Sequence, residues 1–247
     1  MKIPIGLMLL GLVLVPQARA DALGDLKARL KTLEADTGIK GVLEARYESF
    51  DDKGAPDPSK SAQLQMDIEA NGGLSIHFSP ALVQALADEE GKNSADPDKP
   101  VPLADLQREM SPSHLRHMLS AADTLLVLMD GATSPVTKPS TLDGAEVTAL
   151  SMDLPVKAPK KQLDNLKDWQ DTLTVWMDTD GVPLKIEDKA HGKFCKFFFC
   201  FTFDEDHFAE FKVVNGRLVA VREDVERRQS GLGQDSHTKT TATLELQ

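Results

Sequence analysis

The sequence predicts an α+β protein, and three observations carry the prediction. Leu23, Leu26, Leu30 and Leu33 repeat at helical spacing. Two Ser-Pro pairs, Ser79-Pro80 and Ser111-Pro112, each join a serine N-cap to proline at the first helical position. The remainder is mostly alternating apolar and polar residues punctuated by turn sequences, above all Asn215-Gly216. The predicted order is helix, three strands, two helices, then a long antiparallel meander.

The first twenty residues stand apart. Lys2 precedes an apolar run from Ile5 to Val15, and Ala18-Arg19-Ala20 places small residues where a signal peptidase reads them. That run is too short for the roughly 20 residues of a spanning helix. A signal peptide over 1–20 is therefore expected, with export into a bacterial periplasm, one domain over 21–247 and no stable membrane anchor. Its removal takes away Lys2 and Arg19 and no acid, which moves the net charge from −11 to −13. An acidic chain without basic clusters disfavours nucleic acid as a partner.

Within 21–247, residues 21–36 form the leucine-faced helix, ended by Gly38. Gly41 to Phe50 alternates as a strand, "DDKGAPDPSK" is a loop, and "SAQLQMDIEA" points Leu64, Met66 and Ile68 to one side. Asn71-Gly72-Gly73 turns into a third strand, Leu74 to Phe78. Ser79-Pro80 opens a short helix, "ALVQALADEE". Ser111-Pro112 opens a longer one on which Leu115, Met118, Leu119, Ala122, Leu125, Leu126 and Met129 share one face. The polar segment from Gly91 to Pro102 between them reads as a mobile linker. "GATSPVTKPS" reads as a loop, Leu142 to Leu154 as a strand, and Lys160 to Leu166 as a brief helix. Leu173 to Met177 and Val182 to Glu187 flank the tight turn "DTDG". A Phe-rich strand, the Asn215-Gly216 hairpin and a Thr-rich strand from Thr238 to Leu246 complete the chain.

The Phe-rich stretch holds the chemistry most worth weighing. Eight of the ten phenylalanines lie between Phe194 and Phe211, and both cysteines, Cys195 and Cys200, are among them. A straight strand sets the two cysteines about 16 Å apart, whereas a disulfide needs Cα atoms within about 7 Å. A bond requires the chain to turn back through residues without Gly, Pro, Asn or Asp; both readings stand. Along a strand Phe197, Phe199, Phe201 and Phe203 share a face, either as core wall or as cavity wall.

Other candidates fall to plainer readings. His114 and His117 lack a third metal ligand and read as solvated. "DTDG" lacks the later ligands of a calcium loop. Asp204 to His207 reads as a solvated turn. No nucleophile elbow, phosphate loop or zinc-protease motif is present, which argues against an enzyme and implies no cofactor.

The run from Val175-Trp176-Met177-Asp178 through Gly181 to Pro183-Leu184-Lys185, set within this element order, resembles the LolA-like group of periplasmic lipoprotein carriers. The resemblance covers most of residues 22–246. It implies a half-open antiparallel β-barrel covered by an N-terminal helix and lidded by central helices. It also implies a cavity for a lipid or lipoprotein acyl chain, lined by the Phe face, Trp176, Leu115, Met118, Leu119, Leu126 and Met129. The expected partner is thus a lipid or an acylated protein; the alternative is an envelope adaptor with a filled core. Lipoprotein carriers typically show Arg-Pro before an aromatic in an early strand, where this chain has Arg46-Tyr47. The resemblance thus bears on fold more than on cargo.

Overall fold

The computed structural model describes residues 21–247 except 52, 72, 97–98, 157–164, 197–198 and 232–233. The expected signal segment therefore lies outside the described residues. Ten strands form one antiparallel sheet: β1 (Ile39–Ser49), β2 (Ala62–Ala70), β3 (Leu74–Phe78), β4 (Thr133–Leu142), β5 (Ala145–Asp153), β6 (Leu166–Met177), β7 (Pro183–Lys196), β8 (Phe199–Val214), β9 (Arg217–Gly231) and β10 (Gln234–Leu246). Their spatial order is β3-β2-β1-β10-β9-β8-β7-β6-β5-β4, so the curved sheet stays open between β3 and β4. Five helices accompany it: α1 (Ala22–Lys31), α2 (Pro80–Ala95), α3 (Pro102–Glu109), α4 (Pro112–Leu119) and α5 (Ala121–Leu128). The protein is α+β, with the half-open barrel architecture.

The concave side is filled. Leu30 of α1, Leu106 of α3 and Leu115 of α4 meet Leu43, Leu150, Val175 and Leu218 of the sheet, all at 0 % exposure. The expected N-caps hold: Ser79 Oγ accepts from Leu82 N at 3.1 Å, and Ser111 Oγ accepts from His114 N at 3.3 Å. Asn215 and Gly216 take φ of 52° and 82°, as a two-residue hairpin requires.

Several expectations need correction. Gly91 to Ala95 is no linker but the last turn of α2, and α3 follows where no helix was expected. No side chain of its own caps α3; Glu89 of α2 does so, its carboxylate accepting from Leu103 N at 3.2 Å and Ala104 N at 2.8 Å. The long helix breaks at Ser120 into α4 and α5. "GATSPVTKPS" lies mostly within β4, an edge strand whose open side tolerates Pro135 and Pro139. The helix expected at Lys160 to Leu166 falls largely outside the described residues, and Leu166 already belongs to β6. Asp204 to His207 is mid-strand, paired with both β7 and β9.

The Phe-rich stretch is a hairpin rather than one strand. Cys195 faces Cys200 across β7 and β8, with Cα atoms 4.1 Å apart, and the two form a disulfide. The sequence alone left this open because the connecting residues carry no turn signal.

Candidate functional site

Three features of the concave side bear on function. The first is a layer of polar groups in the middle strands. Register places Tyr47, Thr240, Arg227, Glu223, Glu205 and His207 on the face shared with buried Leu43, Ala45, Ala242 and Ala209. Glu109, at the end of α3, ties this layer to the helices. One of its oxygens accepts from Thr240 Oγ1 at 2.7 Å and the other meets Arg227 Nη1 at 3.4 Å. Arg227 Nε in turn donates to Glu205 at 2.6 Å. His114 of α4 sets its Nε2 3.1 Å from the carboxylate of Glu223, which is buried. His114 thus belongs to this layer rather than to solvent.

Electrostatics follow from that packing. Burial lowers the His207 pKa below the usual histidine value; His114 and Arg227 add to the effect, while Glu223 and Glu205 oppose it. The Nε2 of His207 is enclosed without a hydrogen-bond partner among the described residues. Burial raises the Tyr47 pKa, reinforced by the negative charges of Glu109 and Asp105. Among the described residues no group of three His, Cys, Asp or Glu side chains is placed to hold a metal ion.

The second feature is a cleft of about 740 Å³. The α4–α5 pair supplies Arg116, His117, Leu119, Thr124, Val127 and Leu128 to it. The β2–β3 hairpin supplies Ala70, Gly73 and Leu74, and the sheet supplies Asp188, His207 and Arg217. The break at Ser120 shapes this wall. Arg217, with its side chain 12 % exposed, donates from Nε to Leu119 O at 2.6 Å, from Nη2 to Ser120 Oγ at 3.0 Å, and from Nη1 to Thr37 O at 3.1 Å. One guanidinium thereby holds the helix break, the α1–β1 loop and β9 together.

The third feature is an arm of strand ends. From the level of Glu205 and Arg227, where α3 touches the sheet, β8 runs on for six residues to Phe199. That is about 20 Å of strand. Phe199, Phe201 and Phe203 share the inner face with His207 and Ala209 by alternation, and Phe194 and Leu166 join them by register. Phe194 and Phe201 pack with ring centres 5.3 Å apart, and Trp169 and Phe203 at 5.5 Å. Gly192 makes room for the second pair: a Cβ there would meet Phe203 Cε1 at 2.6 Å and Trp169 Cε3 at 3.0 Å.

These placements revise the expected cavity lining. Phe197 lies outside the described residues. Phe199 is 64 % exposed, and Phe201 and Phe203 are half-buried; they sit on the inner face but on the arm. Trp176 points the other way, because Leu173, Val175 and Met177 take the inner face. Lys185 Nζ lies 5.0 Å from the Trp176 ring centre and 4.4 Å from that of Phe208. Leu115, Met118 and Met129 are core, and Leu126 packs beside it. Of the nine described candidates, only Leu119 lines the cleft. The helices lie within the curve of the sheet rather than across its rim, and this displaces the rest.

Sequence reasoning missed Glu223 and Arg227, and took Glu205 and His207 for part of a solvated turn. Their signal was present: Glu223, Val225 and Arg227 alternate on the face of β9 that register turns inward. No protein-family model matches the chain, and no curated protein matches it significantly.

Proposed function

We propose that this chain is an exported, LolA-like carrier that holds a hydrophobic ligand, a lipid or a lipoprotein acyl chain, without catalysing a reaction. The observation that carries the reading is the cleft of about 740 Å³ beside the helices of a half-open barrel. That volume lies within the ordinary range of small-molecule sites, about 300–1,000 Å³. Leu74, Leu119, Val127 and Leu128 give it an apolar wall. At about 0.8 kcal/mol per buried CH₂, a chain of roughly a dozen carbons contributes about 10 kcal/mol before association costs of at least about 4 kcal/mol.

No residue of α2 lines this cleft, so a ligand enters beside α4–α5 and the β2–β3 hairpin without moving it. Helix α2 docks elsewhere along one stripe, Leu82, Leu86, Glu89 and Asn93, with Leu82 against the core.

Delipidated protein titrated with a fluorescent fatty-acid analogue is expected to bind saturably. Val127 is 69 % exposed, so Val127→Asp leaves the core intact and is expected to weaken binding at least tenfold. Absence of saturable binding, or binding indifferent to Val127→Asp, refutes the carrier. The packed core around Leu115, Met118 and Met129 favours a second reading, an envelope adaptor without lipid cargo. Salt-sensitive capture of a basic envelope partner by lipid-free protein would then be the positive result.

A further inference from the structure

We infer that the ligand of the cleft is an uncharged long-chain lipid with a hydroxyl head, a monoacylglycerol or a fatty alcohol, whose head hydrogen-bonds to His207. The inference rests on the carrier reading above and names the ligand class for the same cleft. It starts from the distance between the two ends of that cleft. His207 faces Asp188 across β7 and β8, in the row that runs through Val225 and Thr240 to Tyr47. Ala70 and Leu74 pair in the row of Ile39, eight positions along β1 from Tyr47. That is about 26 Å of strand. Helix α4 runs between the two levels, with His114 at Glu223 and Leu119 at Arg217. All of these levels contribute to one cleft, so it is long, with a polar group at the His207 end and apolar side chains at the Leu74 end. Such a site suits one head and one extended tail.

His207 supplies the partner of the head. Its ring borders the cleft, and its Nε2 is enclosed with no hydrogen-bond partner among the described residues. A buried nitrogen left in that state costs free energy that a ligand hydroxyl recovers. Rotation about χ2 is soft in histidine, so the nitrogen can turn toward a ligand lying against the ring. Burial holds the pKa of His207 below its usual value, which leaves the ring uncharged at neutral pH. A neutral imidazole nitrogen either donates or accepts, according to tautomer, and a hydroxyl group answers both.

The charges around the cleft leave no good place for an ionised head. Those acting on His207 are mutually engaged: Arg227 donates to Glu205, and His114 meets Glu223. Asp188 beside it is not free, and a carboxylate head there would meet a like charge. Arg217 has three donors committed and Asp36 3.8 Å away. Arg116 and Asp123 also line the cleft, one of each sign, but both are exposed, where ion pairs are worth little.

The experiment uses the full mature chain, delipidated and loaded with the fluorescent fatty-acid analogue, and measures displacement near neutral pH. The competitors share one tail and differ in the head: dodecanol, monododecanoylglycerol, dodecanoate and dodecyltrimethylammonium. The two hydroxyl lipids are expected to displace at concentrations at least about tenfold lower than the two ions. His207→Phe, which keeps a ring of similar size, is expected to reduce that preference to about twofold or less. His207→Gln retains a donor and an acceptor and is expected to keep most of it. The inference is overturned if dodecanoate matches the hydroxyl lipids, if the preference survives His207→Phe, or if the two variants behave alike. It is also overturned if Arg116→Ser abolishes displacement by dodecanoate, which would assign the head to that exposed arginine. Saturable uptake of the analogue that Val127→Asp weakens, without any preference among heads, removes this inference and leaves the carrier standing; no saturable uptake removes both.

Discussion

Arg217 carries more of the architecture than any pattern in the sequence suggests. Three donors of one guanidinium reach Leu119 O, Ser120 Oγ and Thr37 O, residues 97 to 180 positions away in the chain. Removing it leaves two carbonyls in a partly buried setting without donors, and hydrogen bonds to charged groups are each worth about 1.5–3 kcal/mol. Arg217→Ala is therefore expected to destabilise the fold by about 2–4 kcal/mol in urea unfolding, with Arg217→Lys recovering part of the loss. His207 makes a second residue-scale prediction. Its pKa is lowered in the folded state by burial, so the unfolded chain binds a proton more readily. Stability contributed at neutral pH is thus lost as pH falls below about 6.5, and the loss levels once the folded-state pKa is passed. His207→Gln is expected to flatten this part of the stability–pH curve relative to wild type. A variant curve parallel to wild type between about pH 7 and 5 would show that the ring is solvated. Neither role was legible beforehand, because each depends on partners far away in sequence.

At the scale of elements, local signals were legible where the chain supplies its own cap or turn. Ser79, Ser111 and Asn215-Gly216 placed α2, α4 and the β8–β9 hairpin correctly. The misses share a cause: the deciding partner is remote. Glu89 caps α3 from α2, Arg217 splits the long helix, and β4 draws its hydrogen bonds from β5 despite two prolines. The β7–β8 hairpin is the sharpest case, since a covalent bond stands at its end where turn residues are lacking. Its loop is short, with the cysteines five positions apart. Loop entropy for about six residues gives only about 2 kcal/mol. Reduction is accordingly expected to lower stability by about that amount while leaving helix signals in circular dichroism unchanged, because the helices lie at the other end of the strands. Unfolding on reduction would mean that the arm, and not the filled concave side, holds the fold together.

For the whole molecule, the ladder order matters more than the strand count. The last strand in the chain, β10, lies between β1 and β9, pairing Gly41 with Leu246 on one side and Thr240 with Val225 on the other. The first and last strands, β1 and β10, thus meet in the middle of the sheet, while its free edges are β3 and β4. The α+β class followed from alternation and turns and the curved sheet from the resemblance, but this closure could not follow from the pattern, since alternation says which face a residue takes and not which strand lies beside it. That pairing also makes the fold one cooperative unit: without β10 the β3-β2-β1 sheet has no strand ladder to the other six strands. Ala242 and Leu244 would leave the core with it, and Thr240 would no longer donate to Glu109. Deleting Thr238 to Gln247 is expected to abolish the cooperative unfolding transition altogether, rather than to trim an edge. Adding the excised segment back as a peptide, antiparallel to β1, is expected to restore a transition whose midpoint depends on peptide concentration. A truncated chain that still unfolded cooperatively, with near-native stability and no response to the peptide, would mean that the two halves of the sheet are held together by the helices alone.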